Sequence, residues 1–168
     1  MSFNEKLFYC MCIQKNAYRY SYGRQANKTL KDIMIPEKVP QWVRESKIEP
    51  ISTKYNEKIA TSQYCKPNCI TVNYNGSVGE AFYQKDPFWA SDDVNVLYAK
   101  DFWKLNQYIA MFIITVIKAN KYRFGYGRKW TLEKMKETII KLPSKKDGKP
   151  DFEYMERYIK TLPYSDRI

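Results

Sequence analysis

The sequence contains no histidine, and this absence excludes several classes of enzyme. Histidine is the usual general base near neutral pH, and it activates the nucleophile in Ser-His and Cys-His enzymes. Neither of these mechanisms is available to the 168-residue chain, and no metal site with imidazole ligands can form. We therefore expect that the protein is not an enzyme.

Cysteine is scarce: the four residues of the chain are Cys10, Cys12, Cys65 and Cys69. Four are too few for a disulfide scaffold at this length. Cys10 and Cys12 lie in an apolar stretch and are interpreted as small core residues. Cys65 and Cys69 could supply two zinc ligands, but their spacing is not the C-x₂-C that is usual in zinc sites. We expect no metal and no other cofactor.

Long apolar runs are also missing. The longest run, residues 109–117, is interrupted by Thr115 and bounded by Gln107 and Lys118, so it is too short to cross a bilayer. The first residues carry both signs of charge and precede no cleavage site of the signal-peptide type. The sequence therefore predicts a cytoplasmic protein without a membrane partner.

Positive charge and aromatic residues are abundant. Lys and Arg number 29 against 18 Asp and Glu, which gives a net charge of +11, and 16% of the residues are aromatic. The hydrophobic fraction of 44% can build a core, so we expect one folded domain and not a disordered chain. The excess of cations favours a polyanion as the partner.

An internal repeat is the clearest sign of organisation. Residues 18–24 read YRYSYGR, and residues 122–128 read YRFGYGR. An apolar run precedes each copy, and a Thr-Leu pair follows each, at Thr29 and at Thr131. The period is much longer than the roughly 20 to 50 residues of solenoid repeats. We interpret the copies as the closing segments of two related modules.

Apolar residues at helical spacing predict a long helix over residues 101–121, with Asp101 as its N-cap. The same reasoning predicts the corresponding helix of the first copy over residues 1–16. A C-terminal helix is predicted to start at Asp151 and to end before Pro163.

Alternating apolar residues predict three strands. Strands over residues 70–74 and 80–83 flank a hairpin-type turn at 75–79, and a further strand covers 94–99. The remaining proline-bearing segments, residues 37–50 and 143–150, are predicted to be connections.

The Tyr-Gly-Arg motifs contain residue types that bind nucleic acids, since the arginine fork fits a phosphate or a guanine edge. The candidate cationic contacts are Arg19, Arg24, Arg123, Arg128 and Lys129. Local ion pairing is the alternative for the arginines. The nearby aromatic residues either stack on bases or fill the core; they are Tyr20, Tyr22, Phe124 and Tyr126. Lys134, Lys136 and Lys141 extend a basic stretch that is interpreted as lying around a helical turn.

A second candidate group lies in residues 73–79, which read NYNGSVG. Asn73, Asn75 and Ser77 would hydrogen-bond to base edges or to phosphates from a tight loop. The segment does not match a phosphate-binding loop, because no Gly-Lys-Ser/Thr follows it. A plain turn is the alternative interpretation.

Four segments in combination resemble the DNA-specificity (S) subunit of restriction-modification systems, in the branch that serves type I and BcgI-like enzymes. They are YSYGRQAN at 20–27, ITVNYNGSVGEAFY at 70–83, FGYGRKW at 124–130 and YMERYIKTLPY at 154–164. The resemblance implies an α+β target recognition domain, with a mixed sheet, packed helices and a C-terminal helix. It also implies that the domain reads duplex DNA and docks on methyltransferase and restriction subunits.

The chain departs from the family pattern of two recognition domains joined by long helices. Residues 1–43 resemble the tail of a first domain, and residues 65–143 resemble a portion of a second. Residues 44–64 would connect them, and residues 144–168 would hold the C-terminal helix. We expect residues 1–168 to form a single compact domain of a truncated specificity subunit.

Two functions agree with this resemblance. The first is a non-catalytic specificity-subunit-like protein that binds duplex DNA through the Tyr-Gly-Arg and Asn/Gly loop motifs, as a monomer or as a homodimer. The second is an inhibitor encoded by a mobile element, an anti-restriction or anti-CRISPR decoy that binds a defence nuclease ribonucleoprotein or its nucleic acid. We favour the first.

Overall fold

Two antiparallel sheets with packed helices organise the described part of the chain. The structure is a computed structural model, and it describes residues 24–39 and 65–167. The strands are β1 (Gln25–Thr29), β2 (Met34–Lys38), β3 (Cys69–Asn73), β4 (Ala81–Gln84), β5 (Val94–Ala99) and β6 (Ile139–Pro143). The helices are α1 (Leu30–Ile33), α2 (Gln107–Asn120), α3 (Leu132–Glu137) and α4 (Phe152–Lys160). Single 3-10 turns lie at Lys121–Arg123 and Ser165–Arg167.

The larger sheet has the strand order β2-β5-β3-β4, and all of its neighbours are antiparallel. The smaller sheet pairs β1 with β6, with Asn27 opposite Lys141 and Thr29 opposite Ile139. We call this second sheet the β1–β6 ribbon. Its two strands come from distant parts of the sequence, so its formation requires the tertiary fold.

Helix α2 lies against β3, β4 and α4 and forms the centre of the main core. The largest side chains that are fully buried are Leu30, Ile33, Met34, Ile70, Leu97, Ile113, Ile117, Trp130, Met135, Ile140 and Leu142. Each such apolar side chain stabilises the fold by about 1.5–3 kcal/mol through its removal from water. The core therefore joins the first described segment to the C-terminal half of the chain.

The long helix begins later than the sequence pattern predicts. The prediction was residues 101–121 with Asp101 as the cap, whereas α2 starts at Gln107 and its N-cap is Asn106. The Asn106 side chain accepts a hydrogen bond from the backbone N–H of Ile109 at 2.9 Å. The prediction of Asp101 as the cap is wrong.

Tertiary contacts of Trp103 explain the late start. Its indole N–H donates to the carbonyl oxygen of Ile33 at 2.7 Å, and its ring stacks on Phe152 with the centroids 4.1 Å apart. Both contacts lie outside the local sequence, so helical spacing alone could not indicate that the chain enters the core here as a non-helical turn.

The strand predictions are close to the structure. Residues 94–99 form β5 as predicted, and the predicted hairpin is β3 and β4, each shifted by about one residue. Asp151 caps α4 as predicted, because its carboxylate accepts from the N–H of Tyr154 at 3.0 Å. The predicted connection over 37–50 is wrong at its start, because Glu37 and Lys38 belong to β2 and pair with β5. Residues 40–50 lie outside the described residues.

The second half of each repeat is visible in the structure. Thr29 is the N-cap of α1, which leads into β2, and Thr131 is the N-cap of α3, which leads into β6. The two helices pack on each other. The first copy of the motif up to residue 23, and the helix predicted over 1–16, lie outside the described residues.

Cys65 and Cys69 are buried free thiols. Burial raises the pKa of both thiols, that of Cys69 to about 12, so they remain protonated and pack with Val39 and Val96. Within residues 24–39 and 65–167 no three His, Cys, Asp or Glu side chains are grouped in a way that could hold a metal ion. Cys10 and Cys12 are not among the described residues.

Of the helices that the structure describes, none has the length and apolar character to span a membrane.

Thr138→Val is expected to destabilise the fold by about 1–3 kcal/mol, because it leaves the buried Trp130 N–H without an acceptor. In the native chain the Thr138 hydroxyl accepts from Trp130 Nε1 at 2.9 Å and donates to the Lys134 carbonyl at 2.7 Å. Urea unfolding measures the change. The matched control is Thr115→Val, since the Thr115 hydroxyl bonds only within its own helix, to Met111. Equal losses for the two variants would contradict the expected role of Thr138.

Candidate nucleic-acid interface

The second Tyr-Gly-Arg motif lies in an exposed loop, residues 121–130, between α2 and α3. We call it the Tyr-Gly-Arg loop. Its base is fixed by Phe124, whose ring stacks on the fully buried Trp130 with centroids 4.4 Å apart and planes 9° from parallel. Trp130 is in turn held by its hydrogen bond to Thr138. The loop therefore projects from a rigid anchor.

The tip of this loop is a tight two-residue turn. The N–H of Arg128 donates to the Gly125 carbonyl at 3.0 Å, and the N–H of Gly125 donates back to the Arg128 carbonyl at 3.3 Å. Tyr126 and Gly127 lie at the tip, and Tyr126 is 86% exposed. Of the two interpretations of the aromatic residues, core packing applies to Phe124 but not to Tyr126. Tyr20 and Tyr22 lie outside the described residues.

Three predicted cationic contacts lie together on this loop. Arg123, Arg128 and Lys129 are all exposed. None of the ion pairs formed within the described residues involves them, so local pairing does not account for Arg123 or Arg128. Their charges are available to an anionic ligand.

The second predicted site is the loop after β3, residues 73–80, which we call the Asn/Gly loop. Asn73 closes it, because its N–H donates to the Glu80 carbonyl and its carbonyl accepts from Gly79, both at 2.9 Å. The Asn75 amide donates to the Asp93 carboxylate at 2.7 Å, whereas Ser77 is exposed. The Nδ2 group of Asn75 thus helps to hold the loop in place, and no hydrogen bond among the described residues uses its side-chain oxygen, Oδ1.

The structure brings the Asn/Gly loop and the Tyr-Gly-Arg loop side by side. At Gly79, an added Cβ would lie 2.5 Å from the Cβ of Lys121 and 3.5 Å from the Trp130 ring. The neighbouring Glu80 carboxylate bridges Lys121 at 2.5 Å and Lys118 at 3.0 Å. Sequence reasoning did not find this bridge, since Lys118 and Glu80 are distant in the sequence and neither has a distinctive neighbour.

The pKa of Glu80 is lowered by its surroundings. Burial acts to raise it, but the hydrogen bonds and charges of Lys121 and Lys118 outweigh burial. Glu80 is therefore ionised at neutral pH and cancels part of the positive charge between the two loops. Arg123, Arg128 and Lys129 are exposed and have no such partner among residues 24–39 and 65–167.

Arg24 lies away from these loops. Its carbonyl accepts from the Ser144 N–H at 2.8 Å, at the end of the β1–β6 ribbon opposite to Thr29. The five-residue ribbon separates the two ends by roughly 17 Å. Arg24 instead neighbours a turn over residues 145–149 that carries three lysines. Arg19 is not among the described residues.

The basic stretch that follows the motif is divided between two elements. Lys134 and Lys136 belong to α3, but Lys141 lies in β6 and is exposed there. The interpretation of these lysines as one helical turn is therefore wrong for Lys141. Alternation of exposed and buried residues along β6 marks the strand, but five residues were too few to indicate it from the sequence.

Comparison with protein families decides the classification. A family model described as the type I restriction modification DNA specificity domain matches residues 22–165. The chain belongs to this family. Both loops described above lie within the matched residues. The family is defined by DNA specificity, and the curated relative described next is a specificity subunit, which confirms the prediction that the chain is not an enzyme.

Similar proteins extend this result. Over 92 residues, 55% of this chain and 27% of the relative, the chain is 45% identical to the specificity subunit of the type II restriction enzyme BcgI from Heyndrickxia coagulans. The S subunit of a type I restriction-modification system from M. genitalium matches with a TM-score of 0.54 at 14% identity, over 95% of this chain and 46% of the other. The HsdS subunit from Thermoanaerobacter tengcongensis matches with a TM-score of 0.52 at 9% identity, over 98% of this chain and 46% of the other.

These matches confirm the predicted family resemblance and the α+β fold class. They also show that the chain spans about a quarter of the curated relative and just under half of the solved S subunits.

Gly79→Ala is expected to destabilise the protein by about 2–4 kcal/mol, from backbone strain together with the clash against Lys121. Gly79 has a φ of +82° and no room for a Cβ. Gly76→Ala is the matched control, because Gly76 has a φ of +67° but open space around it, and it should cost only about 1–2 kcal/mol. Thermal and urea unfolding compare them. Equal destabilisation would show that the two loops do not depend on close contact.

Glu80→Gln is expected to destabilise the protein by about 1 kcal/mol at pH 7, because it removes the charge that Lys118 and Lys121 stabilise. A lowered pKa in the folded state gives stability that is present above the unfolded pKa and is lost as the pH falls through the folded value. The difference from the native chain should therefore shrink below about pH 4.5, the ordinary glutamate value. Urea unfolding across pH measures it, with the exposed Glu133→Gln as control. A pH-independent difference would contradict this account.

Proposed function

We propose that the chain is a non-catalytic, specificity-subunit-like protein of a restriction-modification system and that it binds duplex DNA. The observation that supports this most directly is the Tyr-Gly-Arg loop. It presents Arg123, Arg128 and Lys129 without acidic partners among the described residues, around an exposed Tyr126 on a rigid turn. Such an arrangement suits a polyanion with flat, stackable bases.

The three cations would bind phosphate oxygens. Half or more of the hydrogen bonds in protein–DNA complexes go to the backbone, and these bonds fix the register without reading the sequence. Arg128 has the most constrained backbone of the three because it closes the turn. The direction of its Cα–Cβ bond is therefore fixed, and only its side-chain torsions remain to be ordered on binding.

The adjacent loop would add polar contacts. Asn73 and Ser77 present hydrogen-bonding groups, and Asn75 presents its carbonyl oxygen because its amide already bonds Asp93. Arg24, at the far end of the β1–β6 ribbon, would contact the backbone at a second place. Arg19 completes the set of proposed contacts on the basis of the repeat alone.

The protein partners follow from the relatives. The curated relative is a specificity subunit of a restriction enzyme. A further similar structure is described in terms of complex assembly of the type I restriction-modification system. That structure matches with a TM-score of 0.52 at 9% identity, over 94% of this chain and 45% of the other. We infer that this chain likewise docks on methyltransferase or restriction subunits. We further propose that the chain acts as a homodimer, in which each copy would supply one recognition module.

Arg128→Ala is expected to weaken duplex binding by roughly tenfold at low salt and to reduce the slope of log K against log salt by about 1, with little change in melting temperature. The matched control is Arg157→Ala, an exposed arginine of α4 outside the proposed interface. Fluorescence anisotropy with a labelled duplex between 50 and 200 mM salt would measure both, a range over which phosphate-dominated binding falls steeply, by about a thousandfold or more.

Three outcomes would contradict the proposal. Affinity that does not change with salt would exclude the phosphate mechanism. A large fall in melting temperature with unchanged affinity would assign Arg128 to structure. Absence of duplex binding together with inhibition of a purified defence nuclease would favour the decoy function, which no observation on the described residues supports over DNA binding.

A further inference from the structure

The two faces of the β1–β6 ribbon differ in character. Ile140 and Leu142 are buried and face the core. The alternate positions Ile139 and Lys141 face away from the core and are exposed, Ile139 to 54%. On the partner strand, the exposed Asn27 lies directly opposite Lys141. The outer face therefore carries an amide, an ammonium and an uncovered apolar side chain within one short ribbon.

The ribbon itself carries only positive charge. Neither strand of the ribbon contains a carboxylate, and Lys28 and Lys141 are its charged residues. One end continues into Arg24 and into the turn over 145–149, where Asp147 is the one acidic residue beside three lysines. The other end carries Asp32, which accepts from the Thr29 N–H at 2.8 Å, and the exposed pair of Lys31 and Glu137. This end adjoins the anchor of the Tyr-Gly-Arg loop, because Thr138 precedes β6 and bonds Trp130. The cations beyond this end therefore lie one element further away, on the Tyr-Gly-Arg loop.

The dimensions of the ribbon match those of the DNA major groove. Paired strands lie about 4.8 Å apart, whereas the groove is about 12 Å wide and admits a two-stranded ribbon. Side chains on one face of a strand recur about every 6.8 Å, which is close to two base-pair steps of about 3.4 Å. Side chains on the outer face of this ribbon can therefore meet successive base edges in register.

We propose that the β1–β6 ribbon enters the major groove of duplex DNA and that Asn27 and Lys141 read base edges there. This inference rests on the proposed DNA-binding function and assigns its sequence-reading element. Asn27 would bond N6 and N7 of an adenine, and Lys141 would bond O6 and N7 of a nearby guanine. Ile139 would contact a thymine methyl group, which explains why a large apolar side chain is left in water. Arg24 with the turn over 145–149, and the cations of the Tyr-Gly-Arg loop, would bind phosphates on either side.

The experiment uses the full chain and begins with selection of its preferred duplexes from a random pool. Binding is then measured to the selected duplex, to a scrambled duplex, and to copies in which each purine in turn is replaced by its 7-deaza analogue, which lacks only the major-groove N7 acceptor. We expect that Asn27→Ala lowers the preference for the selected duplex about 5- to 100-fold and leaves the affinity for the scrambled duplex unchanged. Circular dichroism and melting temperature verify the fold of each variant.

The deaza copies test the individual contacts. One 7-deaza-adenine should weaken binding of the native chain but not of Asn27→Ala, and one 7-deaza-guanine should do the same for Lys141→Gln. Lys28→Gln is the matched control, since Lys28 lies between the outward positions of β1 and pairs with the buried Ile140. Because Lys28→Gln removes one positive charge, this variant should lose affinity for all duplexes by the same factor. It should keep the native base preference.

The outcomes separate this inference from the function on which it rests. If Arg128→Ala weakens binding to every duplex while Asn27→Ala and Lys141→Gln keep the native base preference, the ribbon assignment is wrong and DNA binding stands. Binding without any sequence preference in the native chain would also overturn the ribbon assignment. If the native chain binds no duplex, both proposals fail.

Discussion

The buried indole of Trp130 joins the parts of the molecule on which the candidate interface depends. Its ring stacks on Phe124 at the base of the Tyr-Gly-Arg loop, and its N–H bonds Thr138 just before the β1–β6 ribbon. The same ring lies against the backbone at Gly79 in the Asn/Gly loop. One desolvated side chain thus sets the relative positions of two loops and a ribbon, and an error in its placement would move all three.

The sequence predicted elements whose structure follows from local pattern. The strand at 94–99 and the Asp151 cap of α4 depend on alternation and on a nearby carboxylate, and both are confirmed. The start of α2 was predicted wrongly because Trp103 binds Ile33, which is far away in the sequence. β1 and β6 were not predicted, because each is short and gains its hydrogen bonds from the other.

The candidate site also has features that the sequence could predict and features that it could not. Residue type and motif suggested Arg123, Arg128 and Lys129, and the structure places them on one exposed loop. The sequence could not decide between core and surface for Phe124 and Tyr126. Both are aromatic residues of the same short loop, and no local pattern assigns either ring to the core or to the surface. The turn at Gly125 and Arg128 separates them by turning one ring inward and the other outward.

The long separation in sequence between β1 and β6 affects how the molecule folds. More than a hundred residues lie between Asn27 and Lys141, which are directly paired in the ribbon. Closing so large a loop has an entropic cost that only the completed core can offset, so this sheet should assemble late in folding and slowly. A nascent chain on the ribosome would carry β1 unpaired until β6 had been synthesised and had emerged. If the ribbon reads DNA as proposed, the protein would become able to do so only when β1 pairs with β6, late in folding.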